Sequence, residues 1–183
     1  MNLEHLPLSG LVKITPKRVG DNRGYFSEVF KESWFRQHVA DLTFAQENES
    51  LSATVGTVRG LHFQLHPFAQ GKLVRCIAGK VFDVAVDIRE RSPTFGQWYG
   101  LELSKENGDQ LWIPAGFAHG FATLAPDTVL SYKVTAPYSA EHDRGLLWND
   151  RDIGIDWPIK LDNVVLSDKD RAQPKLFDLP TYF

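Results

Sequence analysis

Cysteine is nearly missing from this sequence. Cys76 stands alone among 183 residues, which excludes an intrachain disulfide and any zinc site built on two or four thiolates. Long apolar runs are missing as well. No stretch of about 18 apolar residues suggests a membrane span, and the opening segment "MNLEHLPLSGLVKITP" carries Glu4 and Pro7 too early for a secretory leader. A reducing cytoplasm is the expected compartment. Nor does one sign of charge dominate. With 20 Lys and Arg against 23 Asp and Glu, the net charge is −3, so neither nucleic acid nor a membrane surface is an expected partner. Any anion must be held by a local cluster of cations. Low-complexity tracts and fixed-period repeats are absent, and the length suits one domain over residues 1–183.

Helical periodicity is also scarce. "KESWFRQHV" fits a short helix, and "SDKDRAQ" fits another, with Ser167 and Asp170 spaced as in a capping box. What the chain has in quantity is short apolar runs between Gly, Pro, Asn and Asp. "KVFDVAVDIR" places Phe82, Val84, Val86 and Ile88 on one side and Asp83 and Asp87 on the other, the period of a strand with one buried face. "TVLSYKVT" does the same with Leu130, Tyr132 and Val134. "GLVKITP", "GYFSEVF", "GKLVRCIAG", "QWYGLEL", "QLWIPAG" and "HGFATLA" are further strand candidates. Closely spaced short strands predict an all-β sandwich or barrel. Twelve Phe, five Trp and five Tyr suit a jelly-roll interior or a subunit interface, and the tail after Trp157 and Pro158 is expected to pack back on the barrel.

The stretch "RGLHFQLHPFAQGKLVR", Arg59 to Arg75, threads protonatable groups through a β pattern. A solvated hairpin is the plain explanation; a metal site or an acid–base site is the functional one. Two spacings bear on the choice. Gly56 precedes His62 by five intervening residues, with Gln64 close behind and Lys72 six residues ahead of Gly79; Gly108, Pro114, Gly116 and His119 form the second set. These resemble the two motifs of the cupin superfamily, jelly-roll β-barrels in which His-x-His, a Glu and a further His hold a transition metal. Here Gln64 replaces the second His and Lys72 stands where the Glu would. An ammonium has no lone pair to donate and repels a divalent cation, so the exchange favours an anion over a metal. A metal set of His62, His66 and His119 is the alternative. His5, His38 and His142 read as ordinary structural or surface histidines.

Beyond that level the chain resembles the dTDP-4-dehydrorhamnose 3,5-epimerase family. The matching segments include "GDNRGYFSEVF", "VRGLHFQ", "QGKLVR", "VFDVAVDIR", "SPTFGQW", "LWIPAGFAHGF", "LLWND", "IDWP" and "LSDKD", in order from Gly20 to Asp170. The resemblance implies a cupin-type jelly-roll, a homodimer, and a metal-free, cofactor-free epimerase acting on a dTDP-linked 4-keto-6-deoxyhexose. It implies His62 as general base, Asp170 as the carboxylate that orients it, Tyr132 as the acid on the opposite face of the sugar and Lys72 as the support of the enolate oxygen. Arg23, Glu28, Gln46, Glu47, Asn48, Arg59, His119, Asp143 and Lys169 match substrate-binding positions, and Tyr138 matches an aromatic that stacks on thymine. Two departures stand out: Glu47 where the family's usual run is Gln-Asp-Asn, and Asp143 where a Glu is common.

The chemistry needs these residue types. In a 4-ketohexose, C3 and C5 both flank the carbonyl, so the same ketone acidifies either C–H. Inversion takes a base on one face, an acid on the other and a donor at O4. No redox cofactor is required, and no Gly-rich dinucleotide fingerprint is present. A single-centre epimerase, a metal cupin enzyme and a non-catalytic sugar-nucleotide binder are the alternative readings.

Overall fold

The computed structural model describes all of residues 1–183. Its strands are β1 (Asn2–His5), β2 (Val12–Thr15), β3 (Arg18–Asp21), β4 (Gly24–Ser27), β5 (Gln46–Ser52), β6 (Val58–Gln64), β7 (Lys72–Ala78), β8 (Lys80–Asp87), β9 (Trp98–Ser104), β10 (Gln110–Ile113), β11 (Phe117–Thr123), β12 (Thr128–Val134) and β13 (Asp143–Gly145). Two short helices, α1 (Glu32–His38) and α2 (Asp168–Arg171), fall where the sequence predicts them, and the Ser167 side chain caps α2 by accepting from the Asp170 N–H. One sheet runs β1-β2-β10-β7-β12-β5, a second runs β13-β6-β11-β8-β9, and β3-β4 form a separate hairpin. The two large sheets face each other as a jelly-roll sandwich, and the all-β expectation holds.

Strand alternation sorts the core into three layers. Between the sheets lie Val74, Cys76, Val81, Ala85, Phe117, Phe121 and Leu130. Outside the second sheet, Leu61, Val84, Val86 and Ala118 are covered by Trp148, Ile153, Trp157 and Leu176, with Tyr182 and Phe183 against them. The tail does pack back, as expected. Outside the first sheet, Leu73 and Trp112 are covered by Phe35 of α1, which meets Phe44 and Trp112 edge-on.

One alternative is set aside and one expectation is corrected. Arg59 to Arg75 is not a solvated hairpin: β6 and β7 belong to opposite sheets, so the segment is a crossover and Lys72 is buried. Likewise β8 has two buried faces instead of one. Because β8 is flanked by β11 and β9 and the tail covers its outside, Asp83 and Asp87 point inward with no exposure. Each has close partners there. Asp87 accepts from Arg89, Ser92 and Thr94, and Asp83 faces His119.

One irregularity fixes what faces the interior. His119 pairs with His62 but Phe121 pairs with Arg59, so Gly60 and Leu61 together stand opposite Gly120. This β-bulge rotates the strand. Residues three apart on a regular strand point to opposite faces, whereas here Arg59 and His62 share one. Gly60 has φ +123°, and a Cβ there would lie 2.6 Å from Gly120 Cα and 2.8 Å from His119 O. Gly60→Ala should therefore lower stability by roughly 1–3 kcal/mol, the usual range for a strained backbone position. Urea denaturation followed by tryptophan fluorescence measures this; a wild-type midpoint would mean that the bulge tolerates a side chain.

Candidate active site

A cavity of about 530 Å³ opens at one end of the sandwich, lined by residues of both sheets and of the returning C-terminal segment. Of the residues singled out in the sequence, Asn48, Arg59, His62, Lys72, His119, Tyr132, Tyr138, Asp143, Lys169 and Asp170 line it. The topology explains the convergence. His62 and Arg59 come from β6 and His119 from β11 in one sheet; Lys72 on β7, Tyr132 on β12 and Asn48 on β5 come from the other. His62 and Tyr132 thus stand on opposite walls.

Asp170 reaches His62 because residues 163–170 run back along the start of β6, held by Val58 N–H to Val165 O and Val165 N–H to Gly56 O. The His62 Nε2–Asp170 Oδ1 distance is 2.7 Å, a close but bent contact that leaves Oδ1 without an in-line hydrogen bond. Burial works to raise the Asp170 carboxyl, but His62, Ser167 and the Gly60 backbone together hold it below its ordinary range. Asp170 is therefore an anion beside the imidazole. It is not the α2 cap, a role taken by Ser167.

The opposite wall carries a half-buried phenol and a buried ammonium. Burial raises the Tyr132 phenol above its ordinary value, the Arg59 charge only partly opposing this, so the group is a protonated donor at neutral pH. Lys72, 8% exposed, donates from Nζ to the His62 carbonyl at 3.1 Å. Burial pushes its ammonium down to about 8, with Asp143 and Asp83 resisting the fall. His119 Nε2 lies 3.0 Å from both oxygens of Asp83. At the rim, Asp143 on β13 takes the Tyr138 hydroxyl and the Lys169 ammonium and lies 3.9 Å from His62 Nδ1.

Four expected residues lie elsewhere. Glu47 is turned away because it alternates with Asn48 on β5: it bonds Ser131 and Lys133 on the outer face of the first sheet. Gln46 is a neighbour of the cavity rather than part of its lining, accepting from the Tyr138 N–H and donating to Asn48. Arg23 is tied only to Asp21 on the β3–β4 hairpin, its side chain 85% exposed, and Glu28 follows that hairpin, also exposed. His66 packs on Phe183 outside the cavity, so His62, His66 and His119 do not converge. No three His, Cys, Asp or Glu side chains are grouped so as to hold a metal ion.

Sequence reasoning missed Ser50, Gln64, Gln70 and Asp83. Asp83 was hidden by the assumption that its face of β8 met solvent. Gln64 had a signal, its place at the second cupin ligand position, but its partners are backbone atoms that no pattern reveals. Ser50 lines the cavity from β5 with its hydroxyl buried and unpartnered; its position two residues after Asn48 was the available clue.

Residues 5–178 match the family model described as dTDP-4-dehydrorhamnose 3,5-epimerase. A dTDP-4-dehydrorhamnose 3,5-epimerase of Sinorhizobium fredii is 64% identical over 183 residues, covering 100% of this chain and 93% of the relative. The crystal structure of a dTDP-6-deoxy-D-glucose-3,5-epimerase from Legionella pneumophila, in complex with dTDP-4-keto-L-rhamnose, matches with a TM-score of 0.92 at 44% identity, over 98% of this chain and 94% of that one. A 3'-monoepimerase from Streptomyces bikiniensis in complex with dTDP-quinovose matches with a TM-score of 0.87 at 33% identity, over 94% and 86% of the two chains. The chain belongs to the dTDP-4-dehydrorhamnose 3,5-epimerase family.

The buried ammonium has a measurable consequence. Lys72 falls from its ordinary 10.5 to about 8 on folding, so the folded state carries the full burden below pH 8 and none above about pH 10.5. Lys72→Met should raise unfolding stability at pH 7 by roughly 1–3 kcal/mol, somewhat less than the shift alone implies because the His62 carbonyl loses its donor. The gain should shrink as pH rises from 8 to 10.5. Denaturant unfolding of both proteins across that range tests it, and a destabilised Lys72→Met at pH 7 would contradict the assigned electrostatics.

Proposed function

We propose that this chain, with residues 1–183 acting as one domain, is an isomerase that inverts C3 and C5 of dTDP-4-dehydro-6-deoxy-D-glucose, giving dTDP-4-dehydro-L-rhamnose in dTDP-L-rhamnose biosynthesis. The observation that carries this reading is the disposition of His62 with Asp170 on one wall and Tyr132 on the facing wall, with Lys72 buried between the sheets. A sugar ring lying between the walls presents one face to each. His62 removes the C–H proton next to the C4 ketone, and Asp170 steadies the imidazolium that forms. The electron pair moves to O4, where the Lys72 ammonium meets the developing oxyanion. The Tyr132 phenol then delivers a proton to the other face of the carbon. Arg59, His119 and Lys169 supply cationic or N–H donor groups for the diphosphate, Asn48 an amide for a polar group of the substrate, and Tyr138 a stacking face for the thymine.

A homodimer, which the family resemblance implies, would give Arg23 and Glu28 a place. The β3–β4 hairpin stands clear of both large sheets, with Phe26 74% and Val19 59% exposed, and β5 is an open sheet edge carrying the exposed Leu51. Edges of this kind are usually covered. Pairing of two copies would lay the hairpin of each against β5 of the other and carry Arg23 and Glu28 to the partner's cavity. A reducing cytoplasm suits the buried lone Cys76, whose thiol burial raises to about 11, and no helix is long and apolar enough to cross a membrane.

Two experiments test these statements. In D₂O, NMR of the 4-keto sugar nucleotide should show deuterium entering both C3 and C5; labelling at one position only would point to a single-centre epimerase. His62→Ala should abolish exchange and inversion together, whereas Tyr132→Phe should keep exchange while inversion falls by roughly 10²–10⁴-fold. Equal loss of both in Tyr132→Phe would make the phenol part of enolate formation. For the dimer, mixing inactive Arg23→Ala with inactive His62→Ala under subunit exchange should restore up to about a quarter of wild-type activity, since a heterodimer has one intact site. A monomer by sedimentation at micromolar concentration, or no complementation, would remove the shared site.

A further inference from the structure

Gln64 occupies a cupin ligand position, lines the cavity and is 3% exposed, yet its amide faces no free group. Its Nε2 donates to Phe68 O at 2.7 Å and to Pro137 O at 3.1 Å, and its Oε1 accepts from Ser139 N–H at 2.8 Å. Both donor hydrogens are used and the carbonyl is engaged. Two further glutamines act on the same segment: Gln46 Oε1 accepts from Tyr138 N–H, and Gln70 Nε2 donates to Ala136 O. The backbone from Ala136 to Ser139 is thus held at four successive residues by side chains of β5, β6 and the crossover, although no strand includes it. Tyr138 nonetheless keeps a 59% exposed ring, anchored at its hydroxyl to Asp143.

Loops are ordinarily more mobile than the elements they connect, so an exposed aromatic on a backbone held at four successive residues is a distinctive feature. We propose that Gln64 is a positioning residue for the nucleotide base: by clamping the two lips of the cavity, Leu65–Gln70 and Ala136–Ser139, it presets Tyr138 as a rigid stacking platform. This rests on the reading of Tyr138 as the thymine-stacking residue. The loop is ordered before the base arrives, so binding does not have to supply that ordering free energy. Gln64 is well suited to the task because one planar amide serves both lips, two donors toward carbonyls and one acceptor toward an N–H. Glutamate would lose both donors and set a charge against two carbonyl oxygens.

The test is a double-mutant cycle read by calorimetric binding of dTDP and, separately, of inorganic diphosphate. Gln64→Met should weaken dTDP binding about tenfold, about 1.4 kcal/mol, and leave diphosphate binding within about twofold. KM for the sugar nucleotide should rise by a similar factor, with a smaller fall in kcat. Tyr138→Ala should also weaken dTDP, and adding Gln64→Met to it should cost little more, since the clamp then holds nothing that stacks. Should Gln64→Met fail to fold, Gln64→Asn, which keeps the neutral amide but shortens its reach, serves in its place. If Tyr138→Ala weakens dTDP but the Gln64 effect is absent or fully additive, the clamp is overturned while the stacking reading stands. Equal weakening of dTDP and diphosphate by Gln64→Met would reveal general collapse of the cavity and overturn it too. Unaltered dTDP affinity in Tyr138→Ala would remove the stacking reading itself.

Discussion

Strand geometry gives each side chain only two directions, and the cavity depends on one local breach of that rule. Where β6 meets β11, Gly60 and Leu61 oppose the single Gly120, and the backbones approach too closely for a Cβ at either glycine. The extra residue turns Arg59 to the same side as His62 and sends Leu61 outward to the layer around Leu146. Without it, Arg59 or His62 would face the outer core. The same stretch of β6 then receives the C-terminal segment through the Val58 and Val165 hydrogen bonds, and only so does Asp170 come within reach of the imidazole. Bulge, tail and dyad form one mechanical unit.

Such a cavity interrupts the core it is set in. Lys72, His119, Asp83 and Asp170 are all nearly inaccessible, and each charge must find a partner or shift its protonation. Asp83 sits against His119, Asp170 against His62, and Lys72 is left with a backbone carbonyl and two more distant carboxylates. The apolar packing that the cavity displaces from between the sheets is matched outside them. The cluster under the C-terminal tail has as many buried residues as the one between the sheets, so the tail closes a second core and is no mere appendage. That explains how a short α2 of four residues can hold the Asp170 carboxylate against His62: it is anchored by a packed segment on either side.

The fold was legible where burial is one-sided or turn chemistry is plain. β2, β7, β10 and β12 lie in the expected runs, and α1 and α2 at the expected helices. Legibility failed where tertiary context decides. An aspartate at alternate positions of "KVFDVAVDIR" reads as a solvent face, and only the neighbouring strands and the tail make it an interior one. Spacing identified His62, Lys72 and His119, and the family resemblance identified Tyr132, Asp170 and the rim. Glu47 came in through the Gln46–Asn48 run but is excluded by the period of two, a rule that the sequence already contained. Arg23 and Glu28 belong to a hairpin whose role a single chain does not reveal. Ser50, Gln64 and Gln70 escaped because hydroxyls and amides gain meaning from the atoms they meet, and those atoms come from segments far along the chain.

Gln64 and Lys72 together account for the direction the cupin frame has taken here. A barrel that converges side chains from two sheets on one point suits a metal, which requires lone pairs from each. At two of those points this chain presents groups that cannot serve. The Gln64 amide has both donors taken and its carbonyl engaged by the backbone of the two lips, and an ammonium stands at the carboxylate position. What remains is an electrophile with a proton of its own, depressed by burial to about 8. Depression matters as much as charge. An ordinary lysine near 10.5 holds its proton firmly, whereas one near 8 is a better donor and, in the proposed reaction, would share the proton with an oxyanion that forms and collapses within each turnover. The burial that weakens the fold at Lys72 is therefore the same burial that would fit it to the proposed enolate, formed between His62 on one wall and Tyr132 on the other.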